Sequence, residues 1–329
     1  MITSQSAHRT PVLVSVADTR PVVNDFSTDM LGALATRPRC LSPKYFYDRQ
    51  GSLLFDRICQ LPEYYPTRVE LSLLATHAAE IAEYIGPGAE IVEFGAGSLQ
   101  KIRLLLDAMD KPLRYIPIDI SGDHLAASAK TLQCSYPSLT VLPVVGDYTS
   151  AMRLPATADA TARRVGFFPG STLGNLSPAE ALAFLKQAGR NLRGGALLLG
   201  VDLVKDPSIL HAAYNDAQGV TAAFNLNLLA RANRELDADF DAALFAHSAF
   251  YNAALQRIEM HLMSRRPQRV KVCGQSFTFA EGETLHTENS YKFTIDGLQS
   301  LAAKAGFQAG PVWADPQKQF CLCWLQAPP

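Results

Sequence analysis

No stretch of this sequence approaches the roughly 18 consecutive apolar residues that a membrane-spanning helix needs. A short apolar run from Pro11 to Ala17 lacks the basic start and longer core of a secretory signal. Net charge is also missing: 30 Lys and Arg stand against 31 Asp and Glu, a formal charge of -1. That balance argues against a nucleic-acid binder driven by bulk charge. Cysteine is sparse, with six residues at 40, 59, 134, 273, 321 and 323, and none forms a Cys-x-x-Cys pair. Reduced thiols in a cytoplasmic protein are expected, with no disulfide and no metal. Only 21 Gly and 20 Pro occur in 329 residues, which excludes collagen-like and low-complexity tracts.

What is present is a core. Hydrophobic residues make up 48% and charged residues 19%, enough for one large domain or two coupled ones. Residues 1–24 are polar and Pro-broken and read as a loose arm. Aromatics then crowd between Lys44 and Arg68, and Glu70–Tyr84 has helical spacing. From Glu90 the rhythm changes. Short apolar segments at Glu90–Phe94, Arg114–Ile120, Thr140–Val145, Val165–Phe168 and Ala196–Leu203 read as strands, separated by helical stretches. Ser177 is placed to cap the helix that starts at Pro178. Strands alternating with helices predict a parallel sheet covered on both faces. The alternation stops near Asp206. Residues 207–250 read as mostly helical, Arg257–Met263 and Arg269–Val272 as strands, and Val312–Trp313 with Phe320–Leu325 as a closing strand pair.

The first strand ends in Glu93-Phe94-Gly95-Ala96-Gly97, and glycines there let backbone approach a ligand at the carboxyl edge of the sheet. Asp119 ends the second strand and is placed to accept ribose hydroxyls. Asp147 ends the third, with the ring of Tyr148 beside it. A lone Asp at a strand end is more often a turn or helix cap; three such ends in register favour a nucleotide. The ligand is NAD or S-adenosylmethionine. Gln100 stands where a nicotinamide fingerprint wants a third glycine, and Glu93 suits a sulfonium better than a diphosphate. Both favour adenosylmethionine, as does the closing strand pair.

Longer motifs narrow the reading. Lys44-Tyr45-Phe46-Tyr47-Asp48, Gly51-Ser52-Leu53-Leu54-Phe55-Asp56 and Leu61-Pro62-Glu63-Tyr64-Tyr65-Pro66-Thr67-Arg68 resemble the N-terminal signature of the histidine-specific methyltransferases. The resemblance continues through Gly170-Ser171-Thr172-Leu173-Gly174-Asn175, Asp202-Leu203-Val204-Lys205-Asp206, Ala213-Tyr214-Asn215-Asp216, Gly219–Asn225 and Arg257-Ile258-Glu259-Met260. It runs from about residue 41 to the C-terminus. It implies a Rossmann-like class I SAM-dependent methyltransferase sheet, an α/β fold, with an inserted, mixed substrate-binding domain. The implied division is an arm at 1–24, a discontinuous substrate-binding domain at 25–75 and 206–290, and a cofactor-binding domain at 76–205 and 291–329.

The implied activity is trimethylation of the α-amino group of L-histidine to hercynine, the first step of ergothioneine biosynthesis. S-adenosylmethionine would be consumed and S-adenosylhomocysteine released. Cofactor contacts would come from Tyr47, Gly95, Lys101, Asp119, Asp147 and Tyr148. Substrate contacts would come from Tyr64, Asn175, Tyr214, Thr221, Met260, Glu288 and Ser290. Tyr148 stands where the family often has Phe, and Ala96 where its glycine turn often has Ser. Asn175 and Tyr214 suit the substrate carboxylate. Glu288 and Ser290, two apart on an extended segment, face the same way and suit the imidazole nitrogens. Met260 would pack on the ring. Tyr47 and Tyr64 are the expected catalytic residues, orienting an amine whose protons leave through water or a tyrosine hydroxyl. A soluble monomer with no nucleic-acid or membrane partner is expected. The nearest rival is the same fold acting on another amino acid or small amine. A nicotinamide oxidoreductase and a non-catalytic adenosylmethionine sensor are more distant ones.

Overall fold

The computed structural model describes residues 17–18, 26–97, 99–150, 152–159 and 162–329. The N-terminal elements are β1 (Ala17–Asp18), α1 (Phe26–Ala35), β2 (Arg39–Cys40), α2 (Arg49–Ile58) and α3 (Tyr65–Ile85). Next come β3 (Glu90–Phe94), α4 (Gln100–Ala108), β4 (Arg114–Asp119), α5 (Gly122–Ser135), β5 (Thr140–Val141) and β6 (Val144–Val145). Then follow β7 (Arg164–Phe168), α6 (Pro178–Asn191), β8 (Ala196–Asp202), α7 (Pro207–Tyr214) and α8 (Val220–Glu235). The chain continues through β9 (Phe245–Asn252), β10 (Arg257–Ser264), β11 (Gln268–Val272), β12 (Gln275–Phe279) and β13 (Thr284–Tyr291). It closes with α9 (Ile295–Lys304), β14 (Gln308–Ala314) and β15 (Phe320–Gln326).

Among the described residues the main sheet has nine strands in the order β1-β6-β4-β3-β7-β8-β15-β14, with β5 also beside β4. Its pairs are parallel as far as β8; β15 then runs antiparallel between β8 and β14. Each residue of β3 and β8 is buried, as strands covered on both faces require. A second sheet, β2-β13-β10-β9, stands apart from the first, and β11 pairs only with β12. One apolar cluster draws on Phe26–Tyr65 and Leu210–Leu285. Two others draw on residues from Leu73 to Leu203 and from Leu298 to Ala327.

Most boundaries follow the sequence pattern. Ser177 and Glu180 form the reciprocal cap of α6. Three expectations change. The segment Thr140–Val145 splits into β5 and β6 around Pro143, which has no N–H for a ladder. The Ala-rich stretch 207–250 is helical only to Glu235, then ends in β9, whose pairing with β10 overrides local preference. Helix α3 starts at Tyr65 rather than Glu70, with Pro66 in its first turn. Of the arm expected at 1–24, Ala17–Asp18 forms a parallel edge strand on Val144–Val145; the rest lies outside the described residues. All six cysteines are free, and Cys321 and Cys323 point the same way with sulfurs 3.6 Å apart.

Candidate active site

The carboxyl ends of β3, β4 and β6 bring Gly95, Asp119 and Asp147 to one edge of the main sheet. Gly95 sits at φ +73°, and its amide donates to the Ile118 carbonyl at 2.9 Å. A Cβ there would stand 3.4 Å from Tyr148 Cε1, so bare backbone faces an aromatic ring. That ring is wedged edge-on against Phe168 and Phe184. Asp119 accepts from the Ser121 amide at 2.8 Å, and Asp147 from the Thr149 amide at 2.9 Å. Each Asp thus caps its own turn as well as marking the sheet edge. Lys101, on α4, reaches Glu70 at 2.6 Å. Glu70 is fully buried and also accepts from the Gly170 amide at 2.9 Å, which locks the turn after β7 to α3. Glu93 turns inward instead, hydrogen-bonded by the Tyr115 hydroxyl, and burial pushes its carboxyl up to about 8.

Opposite this edge an aromatic wall begins. The Tyr47 ring lies 5.6 Å from Phe55 and 5.8 Å from Phe224, and Tyr64 continues the chain to Tyr214 at 6.4 Å. Tyr47 lies within electrostatic reach of Glu288, Tyr148 and Asp119, so it borders both ends of the site. Burial drives Tyr47 and Tyr64 far above the usual phenol range. Both therefore stay protonated near neutral pH: each can orient an amine or relay a proton, but neither is a phenolate base.

A small cavity joins Tyr64, Tyr214, Thr221, Met260 and Glu288, five of the residues expected from the sequence. Phe55, Ile58, Ala213 and Phe224 complete its wall and were not expected there. Ser290 is tied in by the Tyr214 hydroxyl at 2.7 Å. Asn175 ends the turn Thr172–Asn175, whose Gly174 packs so tightly on β13 that a Cβ would meet the Tyr291 carbonyl at 2.7 Å. Asn175 is not among the residues that line the cavity; its turn packs beside the strand that carries Glu288 and Ser290.

Beneath the cavity lies a charge network that sequence reading missed. Lys292, 4% exposed, bonds Asp202 at 2.9 Å and Ser290 Oγ at 2.7 Å. Asp202 also holds Lys205 at 2.5 Å and the Tyr65 hydroxyl at 2.7 Å. Burial alone would lower Lys292; the Asp202 carboxylate outweighs it and raises the ammonium. Ser290 Oγ accepts from both Lys292 and the Tyr214 hydroxyl, which fills its lone pairs and leaves its own proton to point elsewhere. Glu288, 9% exposed, has no hydrogen-bond donor among the described residues. Burial pushes its carboxyl up to about 7, against the pull of Lys292.

Comparison with known proteins decides the family. Residues 26–327 match the model of a family described as histidine-specific, SAM-dependent methyltransferases. The chain belongs to that family. It is 44% identical over 301 residues to the histidine N-alpha-methyltransferase of Mycolicibacterium smegmatis, covering 89% of this chain and 92% of that one. The enzyme of the same name from Mycobacterium tuberculosis is 41% identical with the same coverage. A Neurospora crassa protein named ergothioneine biosynthesis protein 1 is 30% identical across 84% of this chain, which spans 32% of that longer protein.

The residues of this histidine-specific methyltransferase fit the cofactor of the family. Strand-end carboxylates suit ribose hydroxyls, the Tyr148 ring offers a face, and Gly95 offers backbone without a side chain. Among the described residues no helix is long and apolar enough to cross a membrane.

Proposed function

We propose that this protein methylates the α-amino group of L-histidine three times to give hercynine, the first step of ergothioneine biosynthesis. The observation that carries the reading is Glu288: a carboxylate 9% exposed with no donor of its own among the described residues, lining one cavity with Tyr64, Tyr214, Thr221 and Met260. A buried acceptor without a partner is costly, so a ligand N–H that fills it is strongly preferred. Ser290, polarised as a donor by Lys292 and Tyr214, supplies the complementary group two residues away. One acceptor and one donor match the N–H and the bare nitrogen of a neutral imidazole. Met260 lines the same cavity and would pack on the ring.

The cofactor would be held by Tyr47, Gly95, Lys101, Asp119, Asp147 and Tyr148. S-adenosylmethionine, when bound, supplies an activated methyl group. The chain's own contribution is positioning: Tyr47 and Tyr64 orient a neutral amine, while Asn175, Tyr214 and Thr221 hold the rest of the amino acid. The packing clusters support a discontinuous substrate-binding domain at 25–75 and 206–290 on a cofactor-binding domain at 76–205 and 291–329. Six free thiols suit a reducing, cytoplasmic setting, and a monomer working on a small molecule is our reading.

Calorimetric titration with L-histidine and the other free amino acids, with S-adenosylhomocysteine present, tests this. Histidine-selective binding that falls at least about 100-fold in Glu288→Ala is expected. Binding of the cofactor product without histidine would redirect the search to another amine substrate.

A further inference from the structure

Strand pairing assembles a group that no sequence spacing announces. Cys40 on β2 is the register partner of His286 on β13, and His286 is the partner of His261 on β10. The three form one row across three strands. They lie on the face opposite Met260, Glu288 and Ser290: the register slips between Met260 and His261, so Met260 pairs with Glu288 while the next residue, His261, pairs with His286 and carries it to the other face. We propose that Cys40, His261 and His286 bind a thiophilic divalent transition-metal ion of the Zn2+ class.

Hydrogen bonds fix which nitrogens are available. His286 Nε2 lies 2.9 Å from the Glu288 carbonyl oxygen, which can only accept, so that nitrogen carries the proton. Its Nδ1 lone pair then faces Cys40 Sγ at 4.0 Å. Two ligands of a tetrahedral zinc ion, one sulfur and one nitrogen, stand about 3.6 Å apart. A shift of a few tenths of an ångström closes that gap. His261 Nε2 lies 3.1 Å from the Glu259 carboxylate, so it too is the protonated nitrogen. His261 Nδ1 is buried with no hydrogen-bond partner.

Both imidazoles therefore have the arrangement usual for metal ligands: one nitrogen donates to an oxygen and the other is bare. Glu259 acts as the orienting carboxylate and is itself held by Arg257 at 2.7 Å and Asn252 at 2.9 Å. Donor atoms of Glu259, His261 and His286 all lie within 4.8 Å of one another, and Cys40 Sγ joins this group through its 4.0 Å approach to His286. The His261 and His286 rings are stacked at 4.4 Å, and Phe250 covers the other face of His261 at 5.4 Å. Stacking sets the ring edges side by side, so coordination asks the pair to splay and Cys40 to turn inward. As sulfur binds the ion, the Cys40 thiol releases its proton to water, and no electron is transferred.

Cobalt is the probe, because a cysteine thiolate on Co2+ gives a charge-transfer absorption that nitrogen and oxygen ligands do not. Titration of the reduced full-length protein with Co2+ is expected to raise that band with a one-to-one end point, and one equivalent of Zn2+ to remove it. Cys40→Ser abolishes the band, while Cys134→Ser and Cys273→Ser, at two other exposed cysteines, keep it. His261→Gln and Glu259→Gln each weaken binding about tenfold or more. No thiolate band, or a band that survives Cys40→Ser, overturns the proposal. These readouts do not depend on which amine the enzyme methylates.

Discussion

At the carboxyl edge of the main sheet, the groups offered to a ligand are turns and strand ends: bare backbone at Gly95 and carboxylates at Asp119 and Asp147 that also cap their own loops. Across the cavity the groups are buried side chains: Ser290 of β13 in a network with Lys292, Tyr214 and Asp202, and Glu288 of β13 beside it with no donor of its own among the described residues. The first kind is positioned locally, each group by its own turn or strand end. The second is not, because Ser290, Lys292, Tyr214 and Asp202 hold one another, and Glu288 stands unpaired beside them, in a low-dielectric interior. Under the proposed function, the sheet edge would hold the cofactor and the buried groups around Glu288 and Ser290 would select the substrate.

The largest expected effect isolates the buried acid beside that network. A carboxyl raised from its ordinary 4.5 to about 7 binds its proton more tightly folded than unfolded. Its contribution to stability is complete below pH 4.5 and is lost as pH rises through 7. At about 1.4 kcal/mol per unit, the ligand-free protein should lose about 3 kcal/mol over that window relative to Glu288→Gln. Urea unfolding of both proteins at the two ends of the window measures the difference. Glu93, raised to about 8, is present in both and cancels. Parallel pH profiles would show that Glu288 is not desolvated, and the contrast between the two regions would weaken.

Lys292→Met comes next. It removes the ammonium that fills one lone pair of Ser290 and opposes the rise of Glu288. Histidine affinity is expected to fall about 30-fold, or about 2 kcal/mol. Affinity for S-adenosylhomocysteine should stay within about threefold, which also shows that the main sheet is folded. Equal losses of both ligands would mean that the two regions form a single unit.

Why this network escaped the sequence, when Glu288 did not, is instructive. Strands β3, β4 and β8 are apolar runs ended by recognisable turns, so the sheet was legible from local pattern. Glu288 and Ser290 follow from the family resemblance; their spacing of two adds only that they face the same way. Lys292 continues the same alternation, and carrying the period one step further would have put it on the inward face. Read singly, a lysine is a surface residue. Asp202 sits within a recognisable motif, but its partners Lys292 and Tyr65 are distant in sequence, so no local pattern shows what it holds. Phe55, Ile58 and Phe224 were invisible for another reason: an apolar residue on a helix has no chemistry to announce it, and only packing shows which ones face a cavity. The row of Cys40, His286 and His261 depends on strand register, which no spacing records.

The smallest effect probes the other region. Gly95→Ala puts a side chain on a left-handed residue, a strain of about 1–2 kcal/mol. The new Cβ would meet Tyr148 at 3.4 Å, an ordinary contact, so strain rather than collision is the main penalty. Relief comes by shifting the turn that the Ile118 carbonyl holds through the Gly95 and Ala96 amides at 2.9 and 3.0 Å. Cofactor-product affinity should fall about tenfold, and histidine affinity at saturating cofactor product should stay within about twofold. Gly88→Ala is the control. Gly88 has φ +64° and open space around its Cβ position, in the loop before β3. It should lose similar stability with no change in either affinity. If Gly88→Ala matched Gly95→Ala in cofactor binding, the loss would be general destabilisation, and the turn at Gly95 would have no special part in holding the ligand.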